Sequence, residues 1–236
     1  MKITAQKGFT LIELLVVITI IALLASLAMP VYSTVTQRGN ITKGINNCRQ
    51  IITAMKVYSS DNSGNYPDSA SSSSGTGGSG ATTDSNTAFR QLFVQGDLSD
   101  ERIFGCPASK ANPDGNIGTS PGYTEAVKAG ENHWAMTGTL TDSSSASYPL
   151  VYENPSGQAW NPTWDVKSVG IATVGRVWSG PRIIIGLNDA SVSNMKLGTD
   201  GTVAPTAGAT NNQFTLNTAG GGTTPTVLTA QESSGN

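Results

Sequence analysis

Lys7-Gly8-Phe9-Thr10-Leu11-Ile12-Glu13 opens an apolar run that continues without another charge to Met29. From Phe9 to Met29 the only polar side chains are those of Thr10, Glu13, Thr19 and Ser26. As a helix this stretch is about 30 Å long, the thickness of a bilayer core. A carboxylate within lipid is expensive unless it is paired, so Glu13 asks for a partner. The run decides the architecture: a membrane-spanning N-terminal helix, with a body organised behind it.

Lys2 and Lys7 precede the run, as in the basic start of an export signal. The run is longer than an ordinary signal core, and Ala25-Ser26-Leu27-Ala28 is a mediocre cleavage site. A plain signal anchor accounts for the length and leaves Glu13 unexplained. Arg38 and Lys43 lie close beyond the far end, so basic residues flank both sides and charge alone leaves the orientation open.

The segment from Lys7 through Glu13 and on to Ile18 resembles the prepilin signature shared by type IV pilins and type II secretion pseudopilins. The resemblance implies cleavage by a prepilin peptidase between Gly8 and Phe9, and N-methylation of the new terminal Phe9. It implies assembly through Phe9 and Glu13, the carboxylate of one subunit pairing with the amine of a neighbour, and a helix kink at Pro30. The implied partners are further copies or other pseudopilins in a filament, the peptidase and an inner-membrane assembly platform. The implied place is the inner membrane, single-pass, with the head outside the cytoplasm.

Past Pro30 the apolar positions are Val31, Val35, Ile41, Ile45, Cys48, Ile52, Met55 and Tyr58. From Ile41 their spacing is helical, which predicts an amphipathic stalk laid on the head. Gly39 and Gly44 weaken the stalk locally. Asp61-Asn62-Ser63-Gly64-Asn65 ends it, with Asn62 or Gly64 suited to a positive φ. The stretch from Asn47 through Tyr58 to Pro67 is similar to G-type pseudopilin-like proteins, which are numerous in Planctomycetes and Verrucomicrobia. Phe104-Gly105-Cys106-Pro107 resembles a Cys-Pro element of the same group, and otherwise reads as a buried thiol before a turn.

The chain therefore divides into a leader (1–8), a membrane helix (9–29), a stalk (30–62), a head (63–198) and a Gly/Thr-rich tail (199–236). The expected fold class is α+β: one long N-terminal helix packed on a small antiparallel sheet. Residues 69–87, nearly free of charge and rich in Ser and Gly, read as a flexible loop. Residues 88–94 suggest a short helix. Strands are expected at 148–153 and 169–178, and a hairpin at 182–187 and 190–196 turns through Asn188-Asp189. The group often has Gly after that Asp. Here Ala190 stands there, so Asn188 or Asp189 is expected to take the left-handed position. The tail is expected to pack weakly, with short edge strands at Val203, Phe214-Thr215-Leu216 and Val227-Leu228.

With 236 residues, 37% hydrophobic and 13% charged, the chain suits one membrane segment and one loop-rich domain. A net charge of -2 argues against nucleic-acid binding. The stalk between Leu14 and Ser60 holds four cations and no acid, so a cationic stalk carries an acidic head. Cys48 and Cys106 are too few for a disulfide framework, though an exported body would let them pair. His133 is the only histidine, which excludes a multi-histidine metal centre, and it reads as a surface or turn residue. Asp97, Asp100 and Glu101 read as a solvated acidic loop. Asp189 and Asp200 are the candidates for calcium, without the spacing of a defined calcium loop. No metal or other cofactor is otherwise expected. No nucleophile elbow or P-loop is present, so an enzyme is not expected. The expected function is a pseudopilin or pilin-like filament subunit. The alternative is a membrane-anchored adhesin or glycan-binding minor pilin, for which the four tryptophans and six tyrosines would supply a sugar-binding surface, with Trp160 and Trp164 reading equally well as core residues.

Overall fold

A computed structural model describes residues 9–68, 84–107, 109–169, 175–178, 180–205, 208–215 and 225–232. The chain forms two compact units, 1–40 and 41–236. Helix α1, Leu11–Asp61, runs without interruption through Pro30, Gly39 and Gly44. In the first unit its described apolar side chains are exposed. The rest of the fold belongs to the second unit.

From residue 41 the stripe predicted from spacing is buried. Cys48, Ile51, Ile52 and Met55 are wholly enclosed, Tyr58 nearly so, and Ile41 and Ile45 pack at the margin. Val35, ahead of the helical spacing that starts at Ile41, is exposed. The helix ends with Ser63 and Gly64 at φ of 55° and 83°, and the Gly64 N–H bonds to Ser59 O at 2.8 Å. Asn62 turns its side-chain amide back to Tyr58 O instead of taking the left-handed position. This is a helix stop made by a left-handed pair that satisfies the last carbonyls.

The main sheet has the order β6-β5-β2-β1-β7, antiparallel throughout. Its strands are β1 (Trp134–Gly138), β2 (Pro149–Glu153), β5 (Arg182–Leu187), β6 (Val192–Lys196) and β7 (Thr226–Leu228). Between them in sequence, β3 (Asp165–Val169) and β4 (Arg176–Val177) make a small parallel pair. The strand expected across 169–178 is thus divided, and residues 170–174 lie outside those described.

The central strands β1 and β2 are buried on both faces. Trp134, Met136 and Ile184 join the core formed with α1 and with α2 (Ser85–Gln95). Ala135, Tyr152, Ile183 and Ile185 point the other way, into a second core with Trp164, Leu197, Val203 and Phe214. This is the period-2 alternation of a strand with apolar material on both sides. A register irregularity between Pro149 and Val151 lets Leu150 and Val151 both join the α1 side.

Four expectations change here. Strand β1, in the middle of the sheet, was not expected from the sequence. The tail is not loosely packed where it is described: Val203 and Phe214 are core residues, while β7 is the edge strand expected at Val227-Leu228. In the loop expected at 69–87, residues 69–83 lie outside those described, while Asp84 caps α2 through Thr87 N at 2.8 Å and 85–87 are its first turn. In the β5–β6 turn the left-handed residue is Ala190, at φ 65°, and not Asn188 or Asp189. Asn188 is withdrawn from that role because its side chain is buried, accepting from Tyr66 Oη at 2.6 Å and donating to Ser144 O at 2.7 Å. Asp189 Oδ1 accepts the Ser191 N–H at 2.8 Å, which closes the turn from the other side.

Two glycines let α1 approach the sheet. A Cβ on Gly44 would stand 2.6 Å from Ile184 Cδ1 and 3.4 Å from Cys106 Sγ. A Cβ on Gly186 would collide with Ile52 and lie 2.9 Å from Cys48 Sγ.

Candidate functional site

At the start of α1, Thr10 and Glu13 bond reciprocally. Glu13 Oε2 accepts from the Thr10 N–H at 2.9 Å and from Thr10 Oγ1 at 2.7 Å, and the Glu13 N–H donates to Thr10 Oγ1 at 3.3 Å. Thr-x-x-Glu ahead of an apolar run is a capping box, which satisfies N–H groups that a helix start leaves without partners. The pattern is plain in the residues, yet it was not among the features expected of this segment. Glu13 Oε1 carries no hydrogen bond among the described residues. Phe9 is exposed, and Gly8 lies outside the described residues.

Behind the cap, α1 is long and apolar enough to cross a membrane by length and composition, and none of that stretch is buried. Its two hydroxyls present no open donor: Thr19 Oγ1 bonds to Leu15 O at 2.7 Å and Ser26 Oγ to Leu23 O at 2.8 Å. Groups satisfied within the helix suit lipid, where water cannot serve them. Glu13 is thereby the one ionisable group of the stretch. The side chain of Pro30 is not among those described.

The second unit holds the remaining candidates. Cys48 and Cys106 are both free and both buried. Burial, with the Glu153 carboxylate adding to it, pushes the Cys48 thiol well up, as befits a packing residue. Cys106 stands instead beside His133 and Glu153, and the donor atoms of the three lie within 4.8 Å of one another. His133 is therefore not a surface residue. Burial disfavours its charged form, but Cys106 and Glu153 outweigh this and raise its pKa. Trp178 Nε1 donates to Glu153 Oε1.

Nor is the acidic loop uniformly solvated. Asp100 is exposed, but Glu101 is fully buried, accepting the N–H groups of Gly115 at 2.7 Å and Val127 at 2.8 Å. Burial, reinforced by nearby Glu131, raises its pKa above the ordinary carboxylate value. Asp189 and Asp200, the calcium candidates, each close their own turn, through Ser191 N and Thr202 N. Neither joins a cluster of three potential ligands among the described residues. Trp134, Trp164 and Trp178 are buried, and Trp160 Nε1 bonds to Phe214 O at 3.0 Å. The tryptophans hold the two cores together and do not make an exposed aromatic platform.

The prokaryotic N-terminal methylation motif matches residues 3–29. The fimbrial protein of Pseudomonas aeruginosa is 46% identical over 50 residues, 21% of this chain and 32% of that protein. The type IV major pilin protein PilE1 of Neisseria gonorrhoeae is 50% identical over 42 residues, 18% of this chain and 26% of that protein. A fimbrial protein of Neisseria meningitidis serogroup B is 50% identical over 42 residues, 18% of this chain and 25% of its own. The chain thus spans about a third or less of the length of these relatives. No solved structure matches it. The N-terminal part is type IV pilin-like and carries the methylation motif.

Proposed function

We propose that the chain is a non-enzymatic filament subunit, a pseudopilin or pilin of a type II secretion or type IV pilus system. It is held in the inner membrane by residues 9–29, cut between Gly8 and Phe9, methylated at Phe9, and drawn into a filament by its N-terminal helix. The observation that carries this reading is the methylation motif placed directly on an uncovered apolar helix with one ionisable group. In this reading the two oxygens of Glu13 divide their work. Oε2 caps its own helix through Thr10, and Oε1 is offered to the Phe9 amine of a neighbour. The pair neutralises two charges that lipid penalises singly, so assembly in register is favoured over the isolated subunit.

The test has two stages. Intact mass of the protein from membranes containing prepilin peptidase should begin at Phe9 and carry one methyl group. Gly8→Asp should leave the full-length precursor. A mature terminus beyond Ala28 would overturn the reading. Glu13→Val should keep membrane insertion and cleavage and lose filament incorporation in a shear or secretion assay at matched membrane levels. Unchanged filament yield would leave Glu13 as a helix cap only.

A further inference from the structure

We propose that Cys106, His133 and Glu153 form a binding site for a thiophilic divalent cation, with zinc as its natural occupant. The three donor atoms come from separate stretches of chain and lie within 4.8 Å of one another. Cys106 and Glu153 are buried, and the His133 side chain is 15% exposed. His133 Nε2 is enclosed and has no hydrogen-bond partner among the described residues. The nearest Glu153 oxygen is 3.9 Å away, beyond hydrogen-bond reach. An imidazole nitrogen enclosed beside a thiol and a carboxylate, without a hydrogen bond of ordinary length at Nε2, stands where one metal ion can draw on all three groups once the imidazole is neutral.

The backbone holds these groups in place. The His133 N–H bonds to Phe104 O at 2.9 Å, which sets the Cys106 loop against the start of β1. Glu153 faces Trp134 across the β1–β2 ladder, and the Asn154 N–H bonds to His133 O at 2.9 Å. From α1, Asn47 Nδ2 donates to Gly105 O at 2.9 Å. Trp178 Nε1 donates to Glu153 Oε1, the oxygen nearest His133, and so fixes the carboxylate as outer partners orient metal ligands. The cluster is thus tied by hydrogen bonds to the helix, to the sheet and to the short link between β4 and β5.

The donor set selects the metal. One sulfur, one nitrogen and one carboxylate oxygen suit zinc, whereas calcium and magnesium take oxygen ligands. Bond lengths of about 2.0–2.3 Å place tetrahedral donors roughly 3.3–3.8 Å apart, so the present spread closes by at most about 1.5 Å. Three protein ligands leave a fourth position for water. The inference does not depend on the filament reading.

The sequence makes the test clean, because His133 is the only histidine and Cys48 the only other thiol. The full chain, carrying a histidine-free tag, is purified in detergent, stripped with EDTA, and titrated with cobalt(II) and then zinc(II). One equivalent of cobalt should give a sulfur-to-cobalt charge-transfer band that one equivalent of zinc abolishes. Cys48→Ala should keep the band and Cys106→Ser should lose it. His133→Gln should weaken zinc binding by more than about tenfold against a competing chelator. Zinc should also slow alkylation of Cys106, but not of Cys48, in the unmutated protein. That arm needs no substitution, so it decides the question even where a variant misfolds. Absence of the band, its survival in Cys106→Ser, or alkylation rates indifferent to zinc would overturn the proposal.

Discussion

Gly44 and Gly39 lie on one helix, and the same substitution should act oppositely at the two. Alanine in place of a mid-helix glycine gains about 0.5–1 kcal/mol from backbone entropy and propensity. At Gly39 nothing lies within 4 Å of the added Cβ, so that gain stands where helix order is coupled to unfolding. At Gly44 the Cβ would come 2.6 Å from Ile184 Cδ1, with Cys106 Sγ at 3.4 Å and a Trp178 ring carbon at 3.7 Å. Ile184 is fully enclosed, so its methyl cannot move aside into solvent. Overpacking a dense core costs about 1–3 kcal/mol. Set against the gain, Gly44→Ala should lose roughly 0–2 kcal/mol, or up to several degrees of melting temperature for a unit of this size. Unfolding of the full chain in detergent, followed by tryptophan fluorescence, reads it directly, because Trp134 and Trp178 are buried in this core. Ile184→Val removes the offending methyl. Alone it should cost about 0.5–1.5 kcal/mol, and on Gly44→Ala clearly less. Gly44→Ala that stabilises as much as Gly39→Ala, or a cycle with no coupling to Ile184, would refute the close approach.

Ala190 holds a left-handed backbone that glycine adopts freely, so Ala190→Gly should raise stability by up to about 1 kcal/mol in urea unfolding. Glu101 has a folded-state pKa raised by burial, so between its ordinary and its raised value the folded chain holds a proton that the unfolded chain has released. Its contribution to stability is therefore present at and below the ordinary carboxylate value and declines as pH rises through that window. Glu101→Gln should remove this slope from the difference between the two proteins' stability–pH curves, and a slope unchanged by the substitution would contradict the assignment.

The stalk was legible because only one face of α1 from residue 41 is covered, and one-sided burial leaves a 3.6-residue rhythm in the sequence. The β5–β6 hairpin was legible in its outer strand, where β6 mixes partly buried and exposed positions. Strand β1 was not, because Trp134 and Met136 serve one core and Ala135 the other, so no polar face punctuates it. Composition misled at the tail: Phe214 lies in a stretch dominated by Asn, Thr and Gly, yet it fills the second core beside Tyr152 and Trp164. For Glu101 and His133, burial is imposed by segments distant in sequence, and no local pattern announces it. Thr10 differs from these: its capping box is wholly local, Thr-x-x-Glu directly ahead of an apolar run, and is complete in the sequence itself.

The position of β7 governs the order in which the fold can be completed. As the chain is synthesised, residues 41–61 emerge with their apolar stripe well before β1, β2 and β5 exist to cover it. Strand β1 can pair with β2 soon afterwards, but its other edge stays open until residues 226–228 arrive, roughly ninety positions later. Such distant pairing forms slowly, and an unpaired edge next to an uncovered apolar helix is prone to capture by other chains. The nascent chain thus passes through a long interval in which it is most vulnerable to misassociation, and the closing strand ends that interval.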